Sequence, residues 1–497
     1  MDIPDEPTVI SPTETVPDRD YIIDVGPQGT FNNSGNYQTI PKDIDDMFVA
    51  FEAAGVRKIA IYFHGGLVNE TSGMESARQI YAPIKAAGCA PVCFVWETGL
   101  METISTNLSK ISETKLYNKL LKLLLKKVIE KLGFDSPLGR GTPAPVPEDE
   151  QVEAELRKPV PFAEYNRSTP EAFSRSAVNV RNLEANTQDL EALLNGEISR
   201  EVMTDSEFMT IIANSKVSVV TGQQALMARG PISLFDFIAH AAKIAYRVIT
   251  RFIAHRDHDL YPTIVEEILR EFYIAELGAW VWQMMKEKAG GMWQSNESRN
   301  GLDRYAGRYF LDRLADFKAR YPETTISLVG HSAGSIAICN LLKYIDALLH
   351  RFSYDHIIFM APACRIELFN AEMLQHRERY KDIRIFTMTN DNECKDNMVP
   401  FFYTHSLLYL ISGILEDEGQ SPDGDAYILG LQRHIAFLMP YNISDLGPLH
   451  EYLYKLDRVS FSVCDSPTLG LDTTALSHGA FHNDPATVTS MTYFLSN

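Results

Sequence analysis

Seven short apolar runs alternate with helical patterns along the two ends of the chain, and this alternation constrains the fold more than any other feature. The runs lie at residues 20–26, 58–66, 90–99, 326–331, 356–363, 382–389 and 458–464. KIAIYFHGG and APVCFVWETG are apolar almost without interruption. A strand covered on one face only would alternate apolar and polar residues. A near-continuous apolar strand is covered on both faces, as in a parallel sheet with crossover helices. The intervening segments fit that role. ESARQIYAPIKAAG (75–88) predicts a helix closed by Gly88, and GLDRYAGRYFLDRLADFKARYP (301–322) predicts an amphipathic helix stopped by Pro322. Further helices are expected at 336–350, 366–379, 403–416 and 486–495.

Roughly 200 residues between Gly99 and Asn300 break this rhythm, far more than a normal strand-to-helix connection. KLYNKLLKLLLKKVIEK (115–131) is helical, with leucines on one face and lysines on the other. A Pro-rich, charged piece near 134–162 predicts a loop. The remainder is apolar and helical and includes GAWVWQMMKEKAGGMW (278–293). The segment 100–297 is therefore expected to be an inserted helical cap. Residues 1–19 are expected to be a loose acidic tail, and 20–99 with 298–497 the α/β core.

The formal net charge of −19 argues against a nucleic-acid partner, because phosphate binding needs a basic face. The six cysteines are scattered and mostly lie within apolar runs, which suggests buried, reduced thiols and a cytoplasmic location. The N-terminus has neither a basic start nor an apolar core, so no secretory signal is expected. No run of about 18 apolar residues suggests a membrane span.

The stretch ISLVGHSAGSIAIC (326–339) carries the chemistry. A strand runs into Gly330-His331-Ser332-Ala333-Gly334 and out into a helix. Glycines two residues to either side let the turn be sharp enough to project the serine oxygen above the sheet, while Ala333 N–H points into the site from the helix start. Here the chain resembles the α/β-hydrolase superfamily in its esterase-like form, over residues 58–99 and about 300–497. The resemblance implies a mostly parallel sheet flanked by helices and a serine nucleophile, Ser332. It also implies an oxyanion hole from the N–H groups of Gly66, in His64-Gly65-Gly66-Leu67, and Ala333. It implies a general-base histidine before the last helix, with His478 preferred to His482 by its distance from Pro485. The family's acid follows the sixth run. Asp396 in Asp396-Asn397-Met398-Val399-Pro400 matches the pattern, with Asp391 as rival and Glu393 and Glu367 as lesser alternatives.

The resemblance thus implies a serine hydrolase that cleaves a carboxylic ester, including lipid esters, through an acyl-enzyme. An amidase, peptidase or thioesterase would use the same groups, and a catalytically silent binding or regulatory protein would keep the fold without turnover. The substrate is expected to be a small-molecule or lipid ester, and the 278–293 segment could line an acyl pocket or simply pack the core. The Lys/Leu helix could touch a membrane surface, or its leucines could face the interior. Trp96 and Glu97 are expected at the mouth of the site.

HRDHD (255–259) offers one further cluster. A continuous helix would place His255, His258 and Asp259 on one side, at a spacing suited to metal ligands. A polar helix end before Tyr261-Pro262 accounts for the same residues. A serine hydrolase needs no metal, so no metal and no cofactor are expected.

Overall fold

A computed structural model describes residues 17–31, 35–66, 69–96, 100–134, 145–166, 187–215, 232–274, 279–345, 353–416 and 424–497. Most of the tail, Leu67, Glu97, the centre of the Pro-rich segment (135–144) and the residues after Ile345 in the expected 336–350 helix lie outside this set.

The seven apolar runs form one sheet. Its strands are β1 (Ile22–Val25), β2 (Lys58–Phe63), β3 (Ala90–Trp96), β4 (Thr325–His331), β5 (Tyr354–Met360), β6 (Tyr380–Met388) and β7 (Val459–Ser462). They lie in the order β1-β3-β2-β4-β5-β6-β7, and every neighbouring pair is parallel. The interior strands are buried on both faces. In β2 Ile59, Ile61 and Phe63 join one apolar cluster while Ala60 and Tyr62 join the other. β4 is central, between β2 and β5, so the chain's sharpest turn leaves the sheet at its middle.

The helix Glu70–Ala86 follows β2 and starts on the Asn69 side chain, which accepts from Ser72 N–H. It ends where Gly88 takes a positive φ of 78°. Helix Ala306–Arg320 precedes β4, and helix Pro485–Ser496 is capped by Asp484. Two expected long helices are instead broken. Residues 366–379 form a four-residue α turn, a π turn and a 3-10 turn, and 403–416 begins its helix only at Leu407 and passes into a π turn. Such π turns are rare and recur mostly at functional sites.

The described part of 100–297 is helical. It includes Leu100–Ser112, Lys115–Leu132, Thr187–Thr204, Leu234–Ile253 and Ala279–Gly291. Part of the expected Pro-rich loop is a helix, Asp149–Leu156. In Lys115–Leu132 the leucines are buried. Lys119, Lys122, Lys126, Lys127 and Lys131 all pair with acidic groups of this same region. The leucine face is thus packed inside the chain, while the lysines are ion-paired at a partly exposed surface. The aromatic segment packs likewise: Trp282 and Trp293 are fully buried, and Trp293 Nε1 donates to the Ala337 carbonyl at 3.1 Å. No helix among the described residues is long and apolar enough to cross a membrane.

Candidate active site

β4 ends at His331, and the next helix begins at Gly334. Between them Ser332 has φ of +51°, a left-handed conformation uncommon for a residue with a side chain. Neighbours hold it there. Ser332 N–H donates to the Met360 carbonyl at 2.8 Å, and Ala363 N–H donates to the Ser332 carbonyl at 3.1 Å. Ser335 Oγ also donates to that carbonyl, at 2.6 Å, and accepts from Cys364 N–H. Gly334 is required by close packing, since a Cβ there would run into the carbonyl of Phe63 at the end of β2.

The strained turn directs the Ser332 hydroxyl toward the loop before the final helix. His478 Nε2 lies 2.8 Å from Ser332 Oγ. The structure therefore brings together Ser332 and His478, residues 146 positions apart. His482 is half-buried in the same cavity, and its ring stands 5.3 Å from that of His331.

The acid is arranged differently from the expectation. Asp396 Oδ2 accepts from the backbone N–H of His478 at 2.7 Å. The imidazole Nδ1, which an orienting carboxylate would normally hold, is buried without a hydrogen-bond partner. Asp396 thus anchors the histidine's backbone rather than its ring. Burial raises its carboxyl pKa above the ordinary value, and the His478 N–H works against that shift. The alternatives are elsewhere. Asp391 lines a separate cavity with His255 and Asp257. Glu393 is fully buried, is bonded by Ser406 Oγ and has its pKa pushed up to about 8, chiefly by burial. Glu367 pairs with Arg365 and is half-exposed.

The glycine turn after β2 faces the serine. A Cβ on Gly66 would lie 2.7 Å from the Ala333 Cβ, so the two turns are in contact. Neither the Gly66 nor the Ala333 N–H is engaged by another described residue. Both N–H groups are thus unengaged in turns that touch each other.

Two histidines that the motif reading passed over brace this geometry. His64 is fully buried, its Nδ1 bonded to the Gly65 carbonyl and its Nε2 accepting from Trp96 N–H at 3.0 Å. That pattern fixes a neutral tautomer, and burial holds its pKa down at about 4. Trp96 stacks on the His64 ring and is itself fully buried, so it underlies the glycine turn instead of standing at the mouth of the site. His331, the variable residue before the serine, donates from Nε2 to the His478 carbonyl at 2.9 Å. Burial and the neighbouring His482 and His478 keep it neutral. The sequence signal was available, because both histidines sit inside the motifs that mark the site.

Burial also lowers the His478 pKa to about 4. At neutral pH the ring is an uncharged base pointed at a hydroxyl. The cavity over Ser332 has a volume of about 550 Å³. Glu75, Gln79, Asn397 and Asn483 line it together with Met398 and Leu407, and most of the surface they expose to the cavity is apolar. Met285 of the Trp/Met helix lies behind Gly66.

Comparison with protein-family models, curated proteins and solved structures returns no match.

Proposed function

We propose that this chain is a serine hydrolase of the α/β-hydrolase type that cleaves a carboxylic ester through an acyl-enzyme. The observation that carries the reading is the 2.8 Å approach of His478 Nε2 to Ser332 Oγ at a left-handed strand-to-helix turn. In the mechanism, His478 takes the Ser332 proton as the hydroxyl attacks the substrate carbonyl. The Gly66 and Ala333 N–H groups receive the oxyanion. His478 returns the proton to the leaving alcohol, and water then releases the acyl group by the reverse path. The helices of 100–297 act in this reading as the cap.

A second reading is favoured by one observation, the unpartnered Nδ1 of His478. A histidine without an orienting carboxylate activates its serine weakly, which suits a binding protein on the same fold. A fluorophosphonate probe separates the two, because only an activated serine is labelled. Labelling of the wild type that disappears in Ser332→Ala supports the hydrolase. Absence of labelling, with no turnover of a p-nitrophenyl ester series from acetate to palmitate, supports the binding protein. The preferred acyl length in that series would size the cavity over Ser332.

A further inference from the structure

A second cavity, of about 370 Å³, opens between the loop at residues 254–259 and the segment after β6. HRDHD is not helical. It forms the connection between helices Leu234–Ile253 and Leu260–Ile268, and both His255 and Asp259 take positive φ values. The loop therefore does not present His255, His258 and Asp259 on one helical face. His258 is instead committed to Glu266, with Nδ1 2.8 Å from Oε1.

What the loop does present is Asp259. One ligand atom each from Asp259, Cys394 and His405 lies within 4.8 Å of the others. His405 is 1% exposed, yet neither of its ring nitrogens makes a hydrogen bond. Leaving a buried polar atom unpaired costs roughly 1–3 kcal/mol. The Cys394 thiol has long contacts, 3.8 Å to Tyr409 Oη and 3.9 Å to Asn390 Nδ2, and faces the His405 ring. An imidazole, a thiol and a carboxylate converge at the edge of a cavity, and the buried imidazole meets the Asp259 carboxylate only at 3.5 Å, without hydrogen-bond geometry.

We propose that Asp259, Cys394 and His405 bind a divalent transition-metal ion, with zinc the best fit. Sulfur and imidazole ligands select against calcium and magnesium, which take oxygen. Tetrahedral zinc bonds of about 2.0–2.3 Å place ligand atoms about 3.3–3.6 Å apart. Asp259 Oδ2 and His405 Nε2 already stand 3.5 Å apart. Three protein ligands leave a fourth position facing the cavity, where the side chains of His255, Asp257 and Asp391 also lie. The ion would tie the 254–259 loop to the segment that carries Asp396, two residues beyond Cys394. This assignment does not rest on the hydrolase reading.

Cobalt(II) titration of the full-length, reduced and chelator-treated protein tests it. Wild type is expected to take up a single equivalent, to show a thiolate-to-cobalt charge-transfer band, and to lose that band on adding zinc. Cys394→Ser should abolish the band, whereas Cys464→Ser, which alters the other partly exposed thiol, should keep it. His405→Gln and Asp259→Asn should retain the band but weaken binding by at least about tenfold, given that even outer-shell changes at metal sites cost that much. These two variants decide the matter should Cys394→Ser fail to fold. The proposal is overturned by a wild type that gives no thiolate band with excess cobalt. It is equally overturned by a band of undiminished strength in Cys394→Ser, or by unchanged affinity in both His405→Gln and Asp259→Asn.

Discussion

Around Ser332, His64, His331 and His478 are buried beside one another with few charges nearby, and burial drives all three toward the neutral form. The segment after β6 and the helices it packs against form a different environment. There Asp425 is buried with Arg256, His434 and Tyr441, and Arg251 with Glu266 and Glu267. Here burial is offset by opposite charges, which hold Asp425 and Glu266 ionised well below the usual carboxylate range. A low-dielectric interior leaves a titratable group two options: lose its charge or gain a counter-charge. The serine cavity takes the first and the helical region the second. Neutral histidines can accept a proton, which suits catalysis. A compensated ion network fixes the position of its members, which suits a joint between segments distant in sequence.

The largest test of the contrast is chemical. Ser332→Ala should lower turnover by about 10³-fold or more, since the nucleophile and its base act as a unit. Its thermal unfolding midpoint should stay near that of wild type, because only one hydroxyl is removed. A variant that hydrolyses esters normally would remove Ser332 from the reaction.

Removing a charge from the other region should act on stability instead. Asp425→Asn removes the carboxylate charge that buried Arg256 pairs with at 2.5 Å, and breaking such a pair costs about 3–5 kcal/mol. Urea unfolding measures it. A loss under 1 kcal/mol would mean that water reaches the network and that its charges are not truly offset by one another.

Asp396→Asn sharpens the picture of the serine cavity. Because Asp396 holds the His478 backbone and not its ring, kcat should fall by about 10–100-fold, short of the roughly 10⁴-fold seen when a carboxylate that orients a catalytic imidazole is neutralised. A 10⁴-fold loss would show that the carboxylate turns to Nδ1 during the reaction.

The pH profile should carry the mark of burial. With His478 held at about 4, kcat/KM should rise through an acid inflection near that value and be flat through neutrality. For stability the sign is the same: a depressed histidine contributes fully above its unfolded value of about 6.5, and that contribution is lost as pH falls through the folded value. An inflection between 6 and 7 would mean that the site is more open to water than its burial indicates.

Glu393 gives the smallest effect, with the opposite sign. Its folded pKa of about 8 exceeds the ordinary value of 4.5. Its contribution is complete below pH 4.5 and is lost as pH rises through 8. Glu393→Gln keeps a polar partner for Ser406 and cannot ionise, so the fall in unfolding midpoint between pH 5 and pH 9 should be smaller than in wild type. An unchanged fall would place its source in another group.

Much of the fold was legible in the chain. The seven strands could be read from their apolar runs because a strand buried on both faces writes its environment into consecutive residues. The serine turn was equally legible, since Gly330 and Gly334 are demanded by backbone packing that no side chain can satisfy. The broken helices at 366–379 and 403–416 were not, because apolar periodicity does not record where a helix must take an extra residue to meet its neighbours.

By itself the sequence determined which residue stands at the apex of the turn, since strand, glycines and helix are contiguous there and local sterics decide the outcome. The partners of that residue were decided by tertiary structure. His478 meets Ser332, Asp396 reaches the His478 backbone, Asp391 is sent to a different cavity, and Asp259 meets Cys394 and His405 across more than 130 positions of chain. Asp391 and Asp396 share one loop and similar surroundings in sequence. The direction in which a loop turns its carboxylates depends on the elements packed against it, and that information lies far away along the chain.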